Sequence, residues 1–127
     1  MAYRLESTGT YRVLRKLAPL ATREPPPETA VRQGLFVDCE TTGLDPAHNE
    51  IIELAMVPFT YGLDGQVYAV GEPFQQLREP SETIPPEITA ITGLDDAIVA
   101  GHRIDPEEVG RFAAPASLVV AHNAAFD

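Results

Sequence analysis

The sequence predicts an α/β fold built on a mixed sheet whose first three strands are antiparallel. Two short apolar runs, starting at Gly34 and at Ile51, have the length and composition of strands. The turn signal Asp64-Gly65 follows the second run, so the third predicted strand, residues 66–74, returns antiparallel to it. A fully apolar run over residues 117–121 is predicted to be a central strand parallel to the first.

The first predicted strand is the most informative element, because it ends in two carboxylates. Side chains two residues apart in a strand lie on the same face, roughly 6.5–7 Å from each other. Residues 35, 37 and 39 are therefore expected to face a core, whereas Phe36, Asp38 and Glu40 share the opposite face. Neighbouring carboxylates repel each other unless a cation lies between them, and oxygen ligands favour hard divalent cations.

Two helices are predicted between the second run and the last strand. Pro86 is suited to begin a short helix over residues 87–92, and Gly93 is suited to end it. The pair Asp105-Pro106 supplies an N-cap and a first helical position, which predicts a helix over residues 106–113.

Residues 1–33 are predicted to be an N-terminal extension, with the folded part covering residues 34–127. Tyr11, Leu14 and Leu17 recur at three-residue steps among basic residues, which predicts a short basic amphipathic helix over residues 10–18. Three consecutive prolines at 25–27 predict a stiff linker between this helix and the folded part.

The net charge of −10 is distributed unevenly along the chain. Residues 1–33 contain six basic and three acidic residues, whereas the remainder contains three arginines and sixteen acidic residues. An acidic folded part argues against broad electrostatic binding of nucleic acid and favours contact with phosphates through metal ions at one point.

No apolar run approaches the ~18 residues of a membrane span and no signal peptide is evident, so we expect a cytoplasmic protein with no membrane partner. The single cysteine, Cys39, agrees with a reducing compartment.

Three segments, in order, resemble the DEDD superfamily of 3′–5′ exonucleases. Residues 37–45, Val-Asp-Cys-Glu-Thr-Thr-Gly-Leu-Asp, resemble the first motif, and residues 120–127, Val-Ala-His-Asn-Ala-Ala-Phe-Asp, resemble the second. Residues 84–94 resemble the segment that lines the terminal-nucleotide pocket in the proofreading branch, which includes the epsilon subunit of DNA polymerase III. The residues at 40–44 and 92–94 are similar to those of the histidine branch of this superfamily. The third motif, with its histidine base and fourth aspartate, is missing, so the chain resembles a C-terminally truncated member with the N-terminal part of an exonuclease domain.

The resemblance implies a ribonuclease H-like fold, incomplete at its C-terminus, and a role for each motif residue. Asp38, Glu40 and Asp127 would be the catalytic carboxylates and the ligands of two Mg²⁺ or Mn²⁺ ions. The residues that would contact the substrate are Thr41, Leu44, Thr92, Leu94, His122 and Asn123. Thr92-Gly93 is equally well explained as a helix C-cap.

The implied function is metal-dependent 3′–5′ hydrolysis of phosphodiester bonds at the 3′ end of DNA, in proofreading or repair. The resemblance implies single-stranded DNA as the favoured partner and a DNA polymerase subunit as a second partner. Because the base and the fourth carboxylate are missing, the 127-residue fragment is expected to be inactive alone. Two alternatives stay open, an RNA-directed 3′–5′ exonuclease and a non-catalytic remnant that binds nucleic acid or a partner. A haloacid-dehalogenase type of phosphatase is disfavoured, because the only lysine, Lys16, lies before the motif.

Overall fold

A computed structural model describes residues 4, 7–14, 16–124 and 126 of the chain. These residues form a five-stranded mixed sheet and three short helices. The strands are β1 (Val31–Thr41), β2 (Ile51–Gly62), β3 (Val67–Val70), β4 (Phe74–Leu77) and β5 (Leu118–Ala121), and the helices are α1 (Pro86–Thr92), α2 (Asp96–Val99) and α3 (Pro106–Ala113). The predicted fold class is confirmed, because β1, β2 and β3 are antiparallel neighbours and β5 lies parallel to β1. The central position predicted for β5 is wrong among the described strands, where β5 lies at the edge of the sheet beside β1.

The alternation predicted for β1 is confirmed. Leu35 is buried, whereas Phe36 and Asp38 are exposed on the other side of the strand. The face that contains Asp38 and Glu40 is called the Asp38 face below, and the other is called the Leu35 face. The α3 helix packs on the Leu35 face, where the ring centroids of Phe112 and Phe74 are 5.0 Å apart. The Asp38 face therefore lies opposite α3.

The single third strand predicted over residues 66–74 is wrong, because that region forms two strands, β3 and β4. Both strands pair with the same edge of β2, on either side of Pro58. Proline has no N–H to donate, so the ladder of hydrogen bonds along that edge is interrupted at Pro58. The chain leaves the sheet there through Gly71 and Pro73, with a single bond from Gly71 N to Pro58 O of 2.8 Å.

The helices begin and end where the sequence predicts. The α1 helix begins at Pro86, and Gly93 ends it with a φ of 79°, a left-handed conformation that glycine adopts without strain. Asp105 caps α3, because its side chain accepts a hydrogen bond from Glu107 N. Between these two helices lies α2, which the sequence reading did not predict and which Asp95 caps.

A small core lies under α1 and α2. Ile52 and Val99 are completely buried, Ile84 is 4% exposed, and Ile88 and Leu94 pack against this cluster with partly buried side chains. The cluster joins β2 to both helices. It therefore fixes the position of α1 relative to the sheet.

The amphipathic helix predicted over residues 10–18 is wrong for the residues that the structure describes, 10–14 and 16–18, which belong to no helix or strand. Leu14 and Leu17 are more than nine-tenths exposed. A helix this short is marginal in water unless one face packs on a larger surface. Among the described residues, no such surface covers Leu14 or Leu17.

The later part of the extension is attached to the sheet. Arg23 N donates to Tyr68 O of β3 at 3.0 Å, and its guanidinium bonds the side chain of Gln66 at 2.9 Å and lies over the Tyr68 ring. Within the described residues, no helix has the length and apolar character needed to cross a membrane.

Candidate functional site

The two motifs are brought to one edge of the sheet by the pairing of β1 with β5. Phe36 lies beside Val120 and Val37 beside Ala121 in a parallel register. Both strands therefore end at the same edge. Asp38 and Glu40 lie at the end of β1, and the His122–Asn123 pair directly follows β5.

Asp38 and Glu40 share the face predicted for them, but their surroundings differ. Asp38 is exposed and lies opposite Ala55 of β2, whereas Glu40 is half-buried and lies opposite Glu53. The carboxylate of Glu53 accepts a hydrogen bond from the Gln75 side chain of β4. Glu53 is thus a polar position within the sheet, held by its neighbouring strand.

Asp127, the third predicted carboxylate, lies outside the described residues. Within the described ranges, which end at residue 126, no three His, Cys, Asp or Glu side chains converge as a group that could hold a metal ion. Phe126, the residue before Asp127, lines an open cleft of about 330 Å³ together with Thr41 and Gly43. The cleft is called the motif cleft below, because its walls come from both motifs.

The loop after β1 is closed by hydrogen bonds. Thr42 N donates to Glu50 O and Glu50 N donates to the Thr42 hydroxyl, each at 2.9 Å. Inside the loop, Asp45 N donates to Asn49 Oδ1 at 2.8 Å. A Cβ on Gly43 would overlap the Asn49 side chain, so any larger residue at this position requires the Asn49 side chain to move. This network, residues 42–50, is called the motif loop.

Two predicted substrate residues, Thr41 and Leu44, belong to this region. The Thr41 hydroxyl donates to Gly43 O at 2.5 Å, which fixes the turn directly after the strand. Leu44 is 85% exposed, although it is a large apolar side chain. An exposed leucine on a hydrogen-bonded loop next to a cleft is suited to contact a base.

Two more predicted substrate residues, Thr92 and Leu94, lie at the end of α1. The Thr92 hydroxyl donates to Ile88 O and accepts from Leu94 N, which makes it part of the helix C-cap. Leu94 packs against the core formed around Ile52. Both residues therefore have structural roles, which leaves their predicted contact with substrate as an expectation.

Sequence reasoning missed the residues that connect the motif loop to α1. Glu50 accepts hydrogen bonds from Arg78 Nη2 and the Ser81 hydroxyl at 2.5 Å and from Ser81 N at 2.6 Å. These bonds, mainly those from Ser81, lower the pKa of the Glu50 carboxyl below its ordinary value. The partners lie about thirty residues away along the chain, so no local spacing pattern marks them.

Charge is also organised within the motif loop. The Asp45 carboxylate accepts from His48 Nδ1 at 2.7 Å and from Ala47 N at 2.9 Å. The bond with His48 is the main cause of a lowered pKa for Asp45. Both side chains are largely exposed, so this pair orders the loop rather than forming a buried site.

The fold and the paired motifs define a nuclease of the exonuclease class, and the chain belongs to the family described as Exonuclease, which it matches over residues 35–127. It is 37% identical over 95 residues to a PolC-type DNA polymerase III of Thermotoga petrophila, covering 73% of this chain and 6% of the polymerase. It is 38% identical over 105 residues to a DNA polymerase III subunit epsilon-like protein of Rhodobacter capsulatus, covering 79% of this chain and 14% of that protein. The chain thus spans a small part of the length of these relatives.

Solved structures agree with this assignment. Exonuclease X in complex with 5′ overhanging duplex DNA is 32% identical, with a TM-score of 0.53, and the match covers 74% of this chain and 51% of that chain. Product-bound exonuclease I has a TM-score of 0.59 at 20% identity over 76% of this chain and 23% of its own, a likeness of fold. The chain thus resembles members of the exonuclease family in sequence and in its ribonuclease H-like fold.

Proposed function

We propose that this chain provides the catalytic face of a metal-dependent exonuclease that removes nucleotides from the 3′ end of DNA, in proofreading or repair. The observation that carries the proposal is the parallel pairing of β1 with β5, which places both motifs at one edge of the sheet. The similarity to epsilon-like and PolC-type proteins supports DNA as the substrate and a DNA polymerase subunit as a partner.

The donor set fits a hard divalent cation. Asp38 and Glu40 offer carboxylate oxygens from one face of a strand end, and Asp127 would add a third. An all-oxygen set suits Mg²⁺ or Mn²⁺ better than Zn²⁺, which prefers His and Cys ligands. Two such ions would activate the attacking water and stabilise the charge on the leaving oxygen.

The residues of the chain itself would position the strand to be cut. Thr41 and Gly43, joined by the bond from the Thr41 hydroxyl, line the motif cleft, where their backbone would contact the terminal nucleotide. Leu44, which is exposed on the motif loop, would pack against the terminal base. Stacking or packing of a base on an apolar side chain is tolerant of sequence, as a processive or proofreading nuclease requires.

A second group of residues would hold the substrate on the other side. His122 and Asn123 are exposed directly after β5 and would lie along the substrate strand. Thr92 and Leu94, at the end of α1, would complete the pocket for the terminal base. The core around Ile52 supports this second wall, because Leu94 packs on it.

Digestion of a 5′-labelled single-stranded DNA by the complete gene product tests the proposal. We expect shortening from the 3′ end that requires Mg²⁺ or Mn²⁺ and stops with EDTA. Asp38→Asn should reduce the rate by on the order of 10² or more, the size found when one group that stabilises transition-state charge is removed.

The matched control is Asp105→Asn. This change makes the same replacement at the N-cap of α3, where asparagine caps about as well as aspartate. Its activity should equal that of the unchanged protein. An Asp38→Asn protein that is folded and digests DNA at the original rate contradicts the proposal. A matched RNA oligonucleotide in the same assay separates a DNA-directed enzyme from an RNA-directed one, because only RNA carries the 2′-hydroxyl.

A further inference from the structure

Glu50 joins two segments that are far apart in the sequence. One carboxylate oxygen accepts from Arg78 at 2.5 Å, and the other accepts from the hydroxyl and the backbone N–H of Ser81 at 2.5 Å and 2.6 Å. All three donors belong to the segment that leads from β4 into α1. Bonds to an ionised acceptor are about twice as strong as neutral ones.

The backbone of the same residue closes the motif loop. Glu50 N donates to the Thr42 hydroxyl and Glu50 O accepts from Thr42 N, each at 2.9 Å. Thr42 directly follows Thr41 and precedes the exposed Leu44. A displacement of Glu50 must therefore displace the part of the loop proposed to contact the nucleotide.

The segment on the other side of Glu50 is equally well anchored. Arg78 N donates to Ile52 O at 2.9 Å, and Ile84 N donates to the Asp96 carboxylate of α2 at 2.9 Å. Ile84 is also buried in the core. Glu50 thus connects a hydrogen-bonded loop to a segment anchored on β2 and α2, and its carboxylate supplies hydrogen bonds between them.

Glu50 also lies between two clefts. It lines the motif cleft, together with Thr41 and Phe126, and a second cleft of about 150 Å³ that Ser81 and Pro85 line from the side of α1. The Arg78 side chain is 44% exposed and the Glu50 side chain 23% exposed, so the pair is partly shielded from water.

We propose that Glu50 is a positioning residue for the exonuclease reaction: its carboxylate, held by Arg78 and Ser81, sets the place of the motif loop relative to α1, and so the width of the pocket for the terminal nucleotide. The inference rests on the proposed function. Glu50 itself does not touch the reacting atoms. Its removal leaves the carboxylates of Asp38 and Glu40 in place but loosens one wall of the pocket.

The test compares steady-state digestion of a single-stranded DNA by the complete gene product with Glu50→Ala, Glu50→Gln and Glu108→Ala variants. Glu50→Ala should raise KM by about tenfold or more, the size of one charge-assisted hydrogen bond, with a smaller change in kcat. Glu50→Gln should be intermediate, because its amide oxygen still accepts from Ser81. Glu108→Ala removes a carboxylate hydrogen bond with Gln76, at 2.7 Å, that joins α3 to β4 rather than the motif loop to α1, and should leave KM unchanged.

Amide hydrogen exchange supplies a readout independent of turnover. The Thr42 amide should exchange about tenfold faster or more in Glu50→Ala, at a temperature where circular dichroism shows every variant to be folded.

A Glu50→Ala protein with KM and Thr42 exchange within twofold of the unchanged protein overturns the inference, as does a KM rise equal to that of Glu108→Ala. If the unchanged protein digests no DNA, the proposed function fails and this role fails with it. If digestion is normal and only the KM shift is missing, the role of Glu50 alone fails.

Discussion

Truncation of Ile52 to alanine should be among the most destabilising single changes in the described part of the chain. Its side chain is completely buried and packs with Ile84 and Val99, which are also buried, and with the partly buried Ile88 and Leu94. Removal of a buried isoleucine side chain down to alanine costs about 2–5 kcal/mol, with the larger values where neighbours cannot relax into the space.

The neighbours of Ile52 have little freedom to relax. Val99 belongs to a helix capped by Asp95, and Ile84 is fixed by its bond to Asp96. We therefore expect a loss of about 3 kcal/mol or more. At roughly 3–6 °C for each kcal/mol in a domain of this size, the Tm should fall by about 10 °C or more.

Urea titration followed by circular dichroism measures this change as a lower midpoint with an unchanged slope. Ile51→Ala is the matched control, because it is the same substitution one residue earlier in β2, at a side chain that is 38% exposed. The control should lose about 1 kcal/mol or less. Equal losses for the two variants, or a loss below about 1 kcal/mol for Ile52→Ala, would refute the reasoning that this cluster fixes α1 to the sheet.

Two further predictions concern packing and pH. A Cβ on Gly34 would overlap the ring of Phe59, which is 5% exposed and packs against Phe36. Gly34→Ala should therefore destabilise the protein by about 1–3 kcal/mol in the same urea titration. The control, Gly110→Ala in α3, has open space at its Cβ and should be neutral or stabilising. The bonds from Ser81, and to a smaller extent the charge of Arg78, lower the pKa of Glu50 from its ordinary 4.5. The ionised Glu50 carboxylate therefore contributes to stability above pH 4.5, and this contribution is lost as the pH falls through the lowered pKa. The difference in unfolding midpoint between the unchanged protein and Glu50→Gln should shrink on acidification, and a difference that stays constant would contradict this prediction.

The elements that the sequence specifies locally are the ones that were predicted well. The alternation of β1 depends only on the geometry of a strand, and it places Asp38 and Glu40 on one face as predicted. The ends of α1 and α3 depend on Gly93 and on Asp105-Pro106, whose effects reach only a few residues. Each of these signals acts within one turn or one strand, so it can be seen without knowledge of any partner.

The wrong predictions have causes outside the segment concerned. The strand predicted over residues 66–74 is divided because the strand beside it contains Pro58, and this matters only once the two are paired. The helix predicted over residues 10–18 rested on a helical period of apolar side chains, but Leu14 and Leu17 are covered by none of the described residues. A periodic pattern states which face is apolar, and it does not state whether anything packs on that face.

By itself, the sequence determined the class of fold, the exonuclease motifs and the face that carries the paired carboxylates. Only the tertiary structure decided that Phe126 and Thr41 line one cleft, and that Glu50 bonds to Arg78 and Ser81. The reason is physical: strand alternation and helix caps follow from covalent geometry over a few residues. A contact across about thirty residues exists only after the chain has folded and brought both groups within hydrogen-bonding distance.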